Sequence, residues 1–222
     1  MTTVLFDLDR TLCVSEQDSD ALLSATFDAA GVERFCDPDD LGAVVPTLPT
    51  AQTELQFYEN VFTAVAQQAD AGEVPAPALA HAHADCIDHS QVRFREGATD
   101  ALDAARDHAD AVGLVTNGGE PSQTTKLDSL GIADAFDAAV YVDPRNGVDP
   151  KPAPAPFERA LAALDADPAE TIHVGDSLHA DVGGANAMGI DSVWVPYDDT
   201  GGLGDHEPTH TLDSVGELAS VF

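Results

Sequence analysis

The sequence predicts an α/β fold, a doubly wound parallel sheet interrupted by an inserted α-helical domain, and three observations predict it. Short apolar runs recur at 4–8, 111–115, 138–142, 171–174 and 192–195, each the length of a buried strand. Helical patterns fill most of the gaps, near 98–109, 122–130, 154–165 and 179–188, which is the alternation of a parallel sheet built from βαβ units. That alternation fails over residues 14–95, where helical segments follow one another with no convincing buried strand between them.

The first strand is Val4, Leu5, Phe6 and Leu8, an apolar run ending in acids. The inserted segment holds three expected helices, Ala21–Ala30, Thr50–Ala71 and Pro77–His89. In the second of these, Leu55, Tyr58, Phe62, Val65 and Ala69 recur at intervals of three and four and mark one packed face. Residues 35–49 carry three prolines and two adjacent aspartates, so they are expected to form a loop. Beyond the last long strand, a Gly-rich loop around Gly201, Gly202 and Gly204 leads to an edge strand at 209–212 and a terminal helix over 214–222. The expected division is therefore a core of residues 1–13 and 96–222 and a helical domain of residues 14–95.

Candidate chemistry collects where the expected strands end. Asp7 and Asp9 follow the first strand with one residue between them, an arrangement that sends both carboxylates to one side of an extended chain. Thr116 and Asn117 end the second core strand and run into Gly118 and Gly119, leaving a hydroxyl, an amide and open backbone N–H groups near a helix start, as an oxyanion receptor requires. Lys151 stands between Pro150 and Pro152, which restrict its backbone. Gly175 and Asp176 close a later strand, with Asp181 about one helical turn further on. Asp7 and Asp176, from neighbouring strands, are a suitable carboxylate pair for a hard divalent cation such as Mg²⁺, which takes oxygen ligands.

These four segments, Asp7-Leu8-Asp9-Arg10-Thr11, Thr116-Asn117, Lys151-Pro152 and Gly175-Asp176 with Asp181, resemble in order the four motifs of the haloacid dehalogenase-like hydrolases. The resemblance implies a Rossmann-like core with a helical cap domain inserted after the first motif. Asp9, two residues after Asp7, is similar to the residue of the family's phosphatases and mutases. The roles implied are Asp7 as nucleophile, Asp9 as general acid and base, Lys151 as the catalytic cation that offsets the crowded negative charge, and Thr116 with Asn117 and Lys151 as holders of the phosphoryl oxygens. Mg²⁺ would be held by Asp7, the backbone carbonyl of Asp9 and Asp176, with Thr11, Gly118 and Asp181 in support. Relatives commonly carry glycine where this chain has Arg10; the expectation is a loop with φ below zero there, or an outward side chain.

The activity so implied is hydrolysis of a small phosphorylated metabolite through an aspartyl-phosphate intermediate, as in phosphoglycolate, sugar or nucleotide phosphatases. A phosphomutase would use the same core residues, and a phosphate-binding module without turnover is the reading from another class.

Composition narrows the partners. Forty acidic residues face nine basic ones, for a net charge of −31, which argues against a nucleic-acid backbone as partner. The acids are spread evenly, 14 of the 40 falling within residues 14–95, so the charge reads as a surface adapted to molar salt. Only two of the basic residues are lysines, Lys126 and Lys151, and in such a chain each retained lysine calls for a specific cause. No stretch approaches the ~20 apolar residues of a membrane span, and the opening MTTVLFDLDR lacks the pattern of a secretory signal. A soluble, cytoplasmic protein is expected. Cys13, Cys36 and Cys86 are scattered and odd in number, so neither a zinc site nor a disulfide framework is expected, and Cys13 and Cys86 are read as packing residues.

Overall fold

The computed structural model describes residues 2–197 and 206–222, and these fall into two compact units, one within Met1–Ser15 and Val92–Phe222 and the other Glu16–Gln91. In chain order the elements are β1 (Thr3–Phe6), β2 (Cys13–Ser15), α1 (Ser19–Ala30), α2 (Pro38–Val44), α3 (Glu54–Gln68), α4 (Ala76–Cys86), β3 (Val92–Phe94), α5 (Ala98–His108), β4 (Ala111–Thr116), α6 (Glu120–Leu130), β5 (Ala138–Tyr141), α7 (Pro154–Leu164), β6 (Thr171–Gly175), α8 (Gly183–Ala187), β7 (Asp191–Trp194) and β8 (His210–Thr211).

In the larger unit six strands form one sheet in the order β5-β4-β1-β6-β7-β8, and every neighbouring pair is parallel. The four residues of β1 are all buried because both faces of the sheet are covered. Its alternating side chains separate the two layers. Val4 and Phe6 pack with Ala101, Leu102, Leu127, Val215 and Leu218, under α5, α6 and the C-terminal turn. Leu5 faces the other way, into Val115, Phe157, Leu161, Leu164 and Ala185, under α7 and α8. This is the doubly wound sheet that the sequence predicts. Its strand order reverses at β1, so the crevice beyond the carboxyl ends of β1, β4 and β6 is where a ligand site is expected.

Several local features differ from expectation. The strands Cys13–Ser15 and Val92–Phe94, which the sequence does not announce, pair as an antiparallel ribbon within the larger unit. The helix expected over 179–188 opens as a five-residue π-type turn, Leu178–Val182, before α8. The terminal helix is a 3₁₀ turn, Val215–Ser220, and the edge strand is only His210–Thr211. The Gly-rich loop at 201, 202 and 204 lies outside the described residues.

The smaller unit is helical, and the backbone N–H of Glu16 donates to the carbonyl of Gln91 at 2.8 Å, closing its ends. Its core unites Leu23 and Phe27 of α1, Val61, Phe62 and Val65 of α3, and Leu79 of α4. The packed face of α3 is rotated from the expected one: Val61 and Ala66 are buried and Ala69 is exposed. His83 is half-buried beside this core, its Nδ1 3.0 Å from Thr26 Oγ1 and its pKa lowered by burial to about 4.

Residues 35–49 correct the loop expectation, because α2 occupies 38–44. Pro38 stands in the first turn, where its missing N–H costs nothing. Asp37 and Asp40 cap that turn reciprocally, Asp40 Oδ2 accepting the N–H of Asp37 at 2.8 Å.

Candidate active site

Asp7 is the first residue beyond β1, and its backbone N–H still donates to the carbonyl of Val174 in β6 at 2.9 Å. The ladder therefore fixes the residue that starts the crevice. The Asp7 carboxylate is buried, with Oδ1 accepting from Lys151 Nζ at 2.7 Å and Oδ2 from the Thr11 hydroxyl at 3.1 Å. Thr11 thus touches the carboxylate itself in addition to closing the loop.

Lys151 Nζ makes two further contacts, to Asp181 Oδ1 at 2.7 Å and to the carbonyl of Val115 at 2.6 Å. Three acceptors satisfy the three N–H donors of a buried ammonium. The backbone of Lys151 is held by Asn117, whose Oδ1 accepts the Lys151 N–H at 2.7 Å and whose Nδ2 donates to the Lys151 carbonyl at 3.2 Å. The Asn117 side chain therefore fastens the end of β4 to the lysine segment, across a cis Lys151-Pro152 peptide. Thr116 is buried at the tip of β4, and its Oγ1 accepts the N–H of Gly118 at 3.3 Å.

Asp176 follows β6 and is buried, with its carbonyl accepting Trp194 Nε1–H at 2.8 Å. Asp181 comes from the π-type turn. Its Oδ2 accepts the N–H of Ser177 at 3.0 Å, and its Oδ1 meets His173 Nε2 at 3.0 Å as well as Lys151. A Cβ on Gly175 would stand 2.2 Å from Asp181 Cγ, so only glycine permits this approach.

Asp7, Asp176 and Asp181 present carboxylate oxygens that all lie within 4.8 Å of one another. Burial pushes the Asp7 carboxyl up to about 6 despite Lys151, and burial together with the charge of Asp7 pushes Asp176 up to about 8. Asp181 is buried as well, yet Lys151 and His173 outweigh that and hold it below the ordinary carboxylate range. Its neighbours Asp181 and Asp7 outweigh burial at Lys151 and keep it firmly charged. One ammonium thus faces three close acids; each oxygen of Asp7 accepts a single hydrogen bond, whereas Asp181 Oδ1 already takes two and its Oδ2 one. A hard divalent cation fits the oxygens of Asp7 and Asp176, the two carboxyls whose ionised forms lack sufficient compensation.

Asp9 lies apart from that trio in its contacts. Its carboxylate, 46% exposed, accepts Lys126 Nζ on both oxygens, at 2.7 and 2.8 Å, and Gln123 Nε2 on Oδ2 at 2.9 Å. Arg10 has φ +64° and an exposed side chain, which corrects the expectation of φ below zero and agrees with its alternative, an outward side chain. The loop is strapped by Arg95, whose guanidinium donates to the carbonyls of Arg10 at 2.7 Å, Val195 at 3.0 Å and Pro196 at 2.6 Å. Gln123, Arg95 and His173 carried no sequence signal; Lys126 did, as one of only two lysines.

Comparison with known proteins follows the same outline. The family model for haloacid dehalogenase-like hydrolases matches residues 1–189. A relative named ribulose-1,5-bisphosphate 5-phosphatase, from Halopiger xanaduensis, is 27% identical, the match covering 99% of this chain and 98% of that protein. Another, the pyrophosphatase PpaX of Halalkalibacterium halodurans, is 28% identical over 100% of this chain and 96% of its own. Among solved structures, the HAD-hydrolase YfnB from Bacillus subtilis, bound to magnesium, shares the fold with a TM-score of 0.72 at 20% identity, covering 99% of this chain and 97% of that one.

Proposed function

The chain belongs to the haloacid dehalogenase-like hydrolases, and from that premise we propose that it is a Mg²⁺-dependent phosphatase of small phosphorylated metabolites, with Asp7 as nucleophile and residues 14–95 as a helical cap. The observation that carries the reading is the Asp7 carboxylate, buried at the end of β1, 2.7 Å from Lys151 Nζ and grouped with Asp176 and Asp181. The names of the relatives, a sugar bisphosphate phosphatase and a pyrophosphatase, support a small phosphorylated substrate.

In this mechanism an Asp7 oxygen attacks phosphorus in line, the P–O bond to the leaving group breaks, and Asp9 gives that oxygen its proton. Asp9 then takes a proton from the water that attacks the aspartyl phosphate, which releases inorganic phosphate and restores Asp7. Lys151 neutralises the nucleophile, and Thr116 with the N–H of Asn117 holds phosphoryl oxygens, donors worth roughly 10²–10³ in rate each when well aimed. The carboxylates of Asp7 and Asp176 and the carbonyl of Asp9 would hold Mg²⁺, which would supply positive charge to the phosphoryl oxygens. Asp181 holds Lys151 in place.

The same reading extends to the setting. A charge of −31 spread over the chain suits a cytoplasm rich in salt, and among the described residues no helix is long and apolar enough to cross a membrane.

The test is release of inorganic phosphate, with Mg²⁺ and high salt, from a panel of phosphomonoesters that includes sugar bisphosphates, alongside pyrophosphate. Turnover is expected for at least one member, and none for a folded Asp7→Asn protein. An active Asp7→Asn protein would overturn the assignment.

A further inference from the structure

Beyond Lys151, the only other lysine of the chain also ends on a site carboxylate. Lys126 Nζ sits 2.7 and 2.8 Å from the two oxygens of Asp9, across 117 residues of sequence. In a chain of 40 acids and two lysines, both lysines are therefore paired with candidate catalytic aspartates.

The partner side of this contact is buried and the Asp9 side is open. Lys126 has a side chain only 12% exposed and Gln123 is buried, whereas Asp9 is 46% exposed. Gln123 and Lys126 stand three residues apart on α6 and so project from one face of the helix. Gly118 makes room for this arrangement, since a Cβ there would stand 1.5 Å from Gln123 Nε2.

The Gln123 amide carries a cost that its contact with Asp9 explains. Its Oε1 is buried and has no hydrogen-bond partner among the described residues. Turning the amide over would aim that oxygen at a carboxylate and remove the Nε2 donor from Asp9. An unsatisfied buried acceptor is normally selected against, and here it accompanies the one orientation that serves Asp9.

We infer that Lys126 and Gln123 are positioning residues that hold the Asp9 carboxylate in a single orientation for its proton transfers. The inference rests on the reading of Asp9 as the group that protonates the leaving oxygen. Three hydrogen bonds from two side chains fix the plane of the carboxylate: Oδ2 receives two of them and Oδ1 receives one. Proton transfer needs the carrier within hydrogen-bond reach and correctly aimed, and an acid at the exposed end of a loop has no other anchor of this kind among the contacts described.

The experiment compares the wild type, Lys126→Met and Lys126→Arg on phenyl phosphate and p-nitrophenyl phosphate with Mg²⁺. Nitrophenolate departs without a proton, and phenolate departs much better with one. Lys126→Met is expected to lower kcat for phenyl phosphate by roughly tenfold more than for p-nitrophenyl phosphate, within the range acid–base catalysis spans, with KM within twofold and Lys126→Arg recovering most of the loss. An equal loss on both esters, a loss carried by KM, or unchanged kcat would overturn the inference. Asp9→Asn, assayed beside it, separates the two readings. An unaltered ratio of the two esters in Asp9→Asn removes the proton-carrier role itself, whereas a changed or extinguished turnover there with wild-type behaviour in Lys126→Met removes the Lys126 inference alone. A crystal structure of Lys126→Met supplies a readout independent of turnover: Asp9 should leave its present rotamer, and an unmoved Asp9 would overturn the inference.

Discussion

Asp181 lies directly over the Cα of Gly175, so close that one added methyl would stand 2.2 Å from its Cγ. The carboxylate that meets Lys151 at 2.7 Å is thus seated by the absence of a side chain at the end of β6. Gly175→Ala should cost about 1–3 kcal/mol as an overpacked core position and lower turnover at least tenfold, on the order expected when a positioned charge moves by about an ångström. Denaturant unfolding and steady-state kinetics on the same preparation check both. A variant as stable and as active as the wild type would contradict the packing described.

Lys151 is the cation common to Asp7 and Asp181. Lys151→Met keeps the stem and leaves two buried acids without their shared partner, a change that costs about 3–5 kcal/mol when a buried pair is broken. The loss should shrink at lower pH as the stranded acids take up protons. Urea titrations at two pH values measure it.

Metal binding should depend on pH with a defined sign. Without metal, the folded Asp7 and Asp176 carboxyls titrate at about 6 and about 8, against an unfolded value of 3.8. Between pH 4 and 8 these two carboxyls therefore hold more protons in the folded than in the unfolded state, and their contribution to metal-free stability falls as pH rises. Mg²⁺ binds the ionised forms, so its affinity should rise from pH 6 to 8 and its binding should release protons. Calorimetry in two buffers of different ionisation enthalpy reads the proton release directly, and pH-independent binding would contradict it.

The charge of −31 should make the fold depend on salt. Raising salt from 0.1 M to 1 M shortens the screening length from ~10 Å to ~3 Å, which relieves repulsion among forty acids. The melting temperature should climb by several degrees in molar KCl, and a flat response in a calorimetric scan would count against salt adaptation.

How much of this was legible in the sequence varied with range. The strand Thr3–Phe6 was readable because an apolar run ending in acids has few other uses; three of the four site segments were readable because each follows an apolar run, and Lys151 because of its flanking prolines in a chain with two lysines. The helix Pro38–Val44 is hard to read because Pro38 precedes two further prolines, Pro46 and Pro49, and the three together read as breakers; Asp37, Pro38 and Asp40 in fact spell a capped first turn. The ribbon of Cys13–Ser15 with Val92–Phe94 joins two three-residue strands on either side of the helical unit, and nothing local announces such a pairing. The partner of Asp9 was out of reach for a similar reason. The scarcity of lysine drew attention to Lys126, but only the packing of α6 brings its ammonium to a loop 117 residues away. Arg10 took a positive φ against expectation, in a loop that Arg95 ties to the end of β7.

Placing both ammonium groups against site aspartates leaves the exterior to aspartate and glutamate, with arginine as its only strong cation. An approaching dianion consequently meets a repulsive field at long range, and meets positive charge only where the two ammonium groups and a bound divalent cation would stand. Association on an oppositely charged enzyme slows as electrolyte is added. Here it should quicken, so that brine favours the encounter as well as the fold.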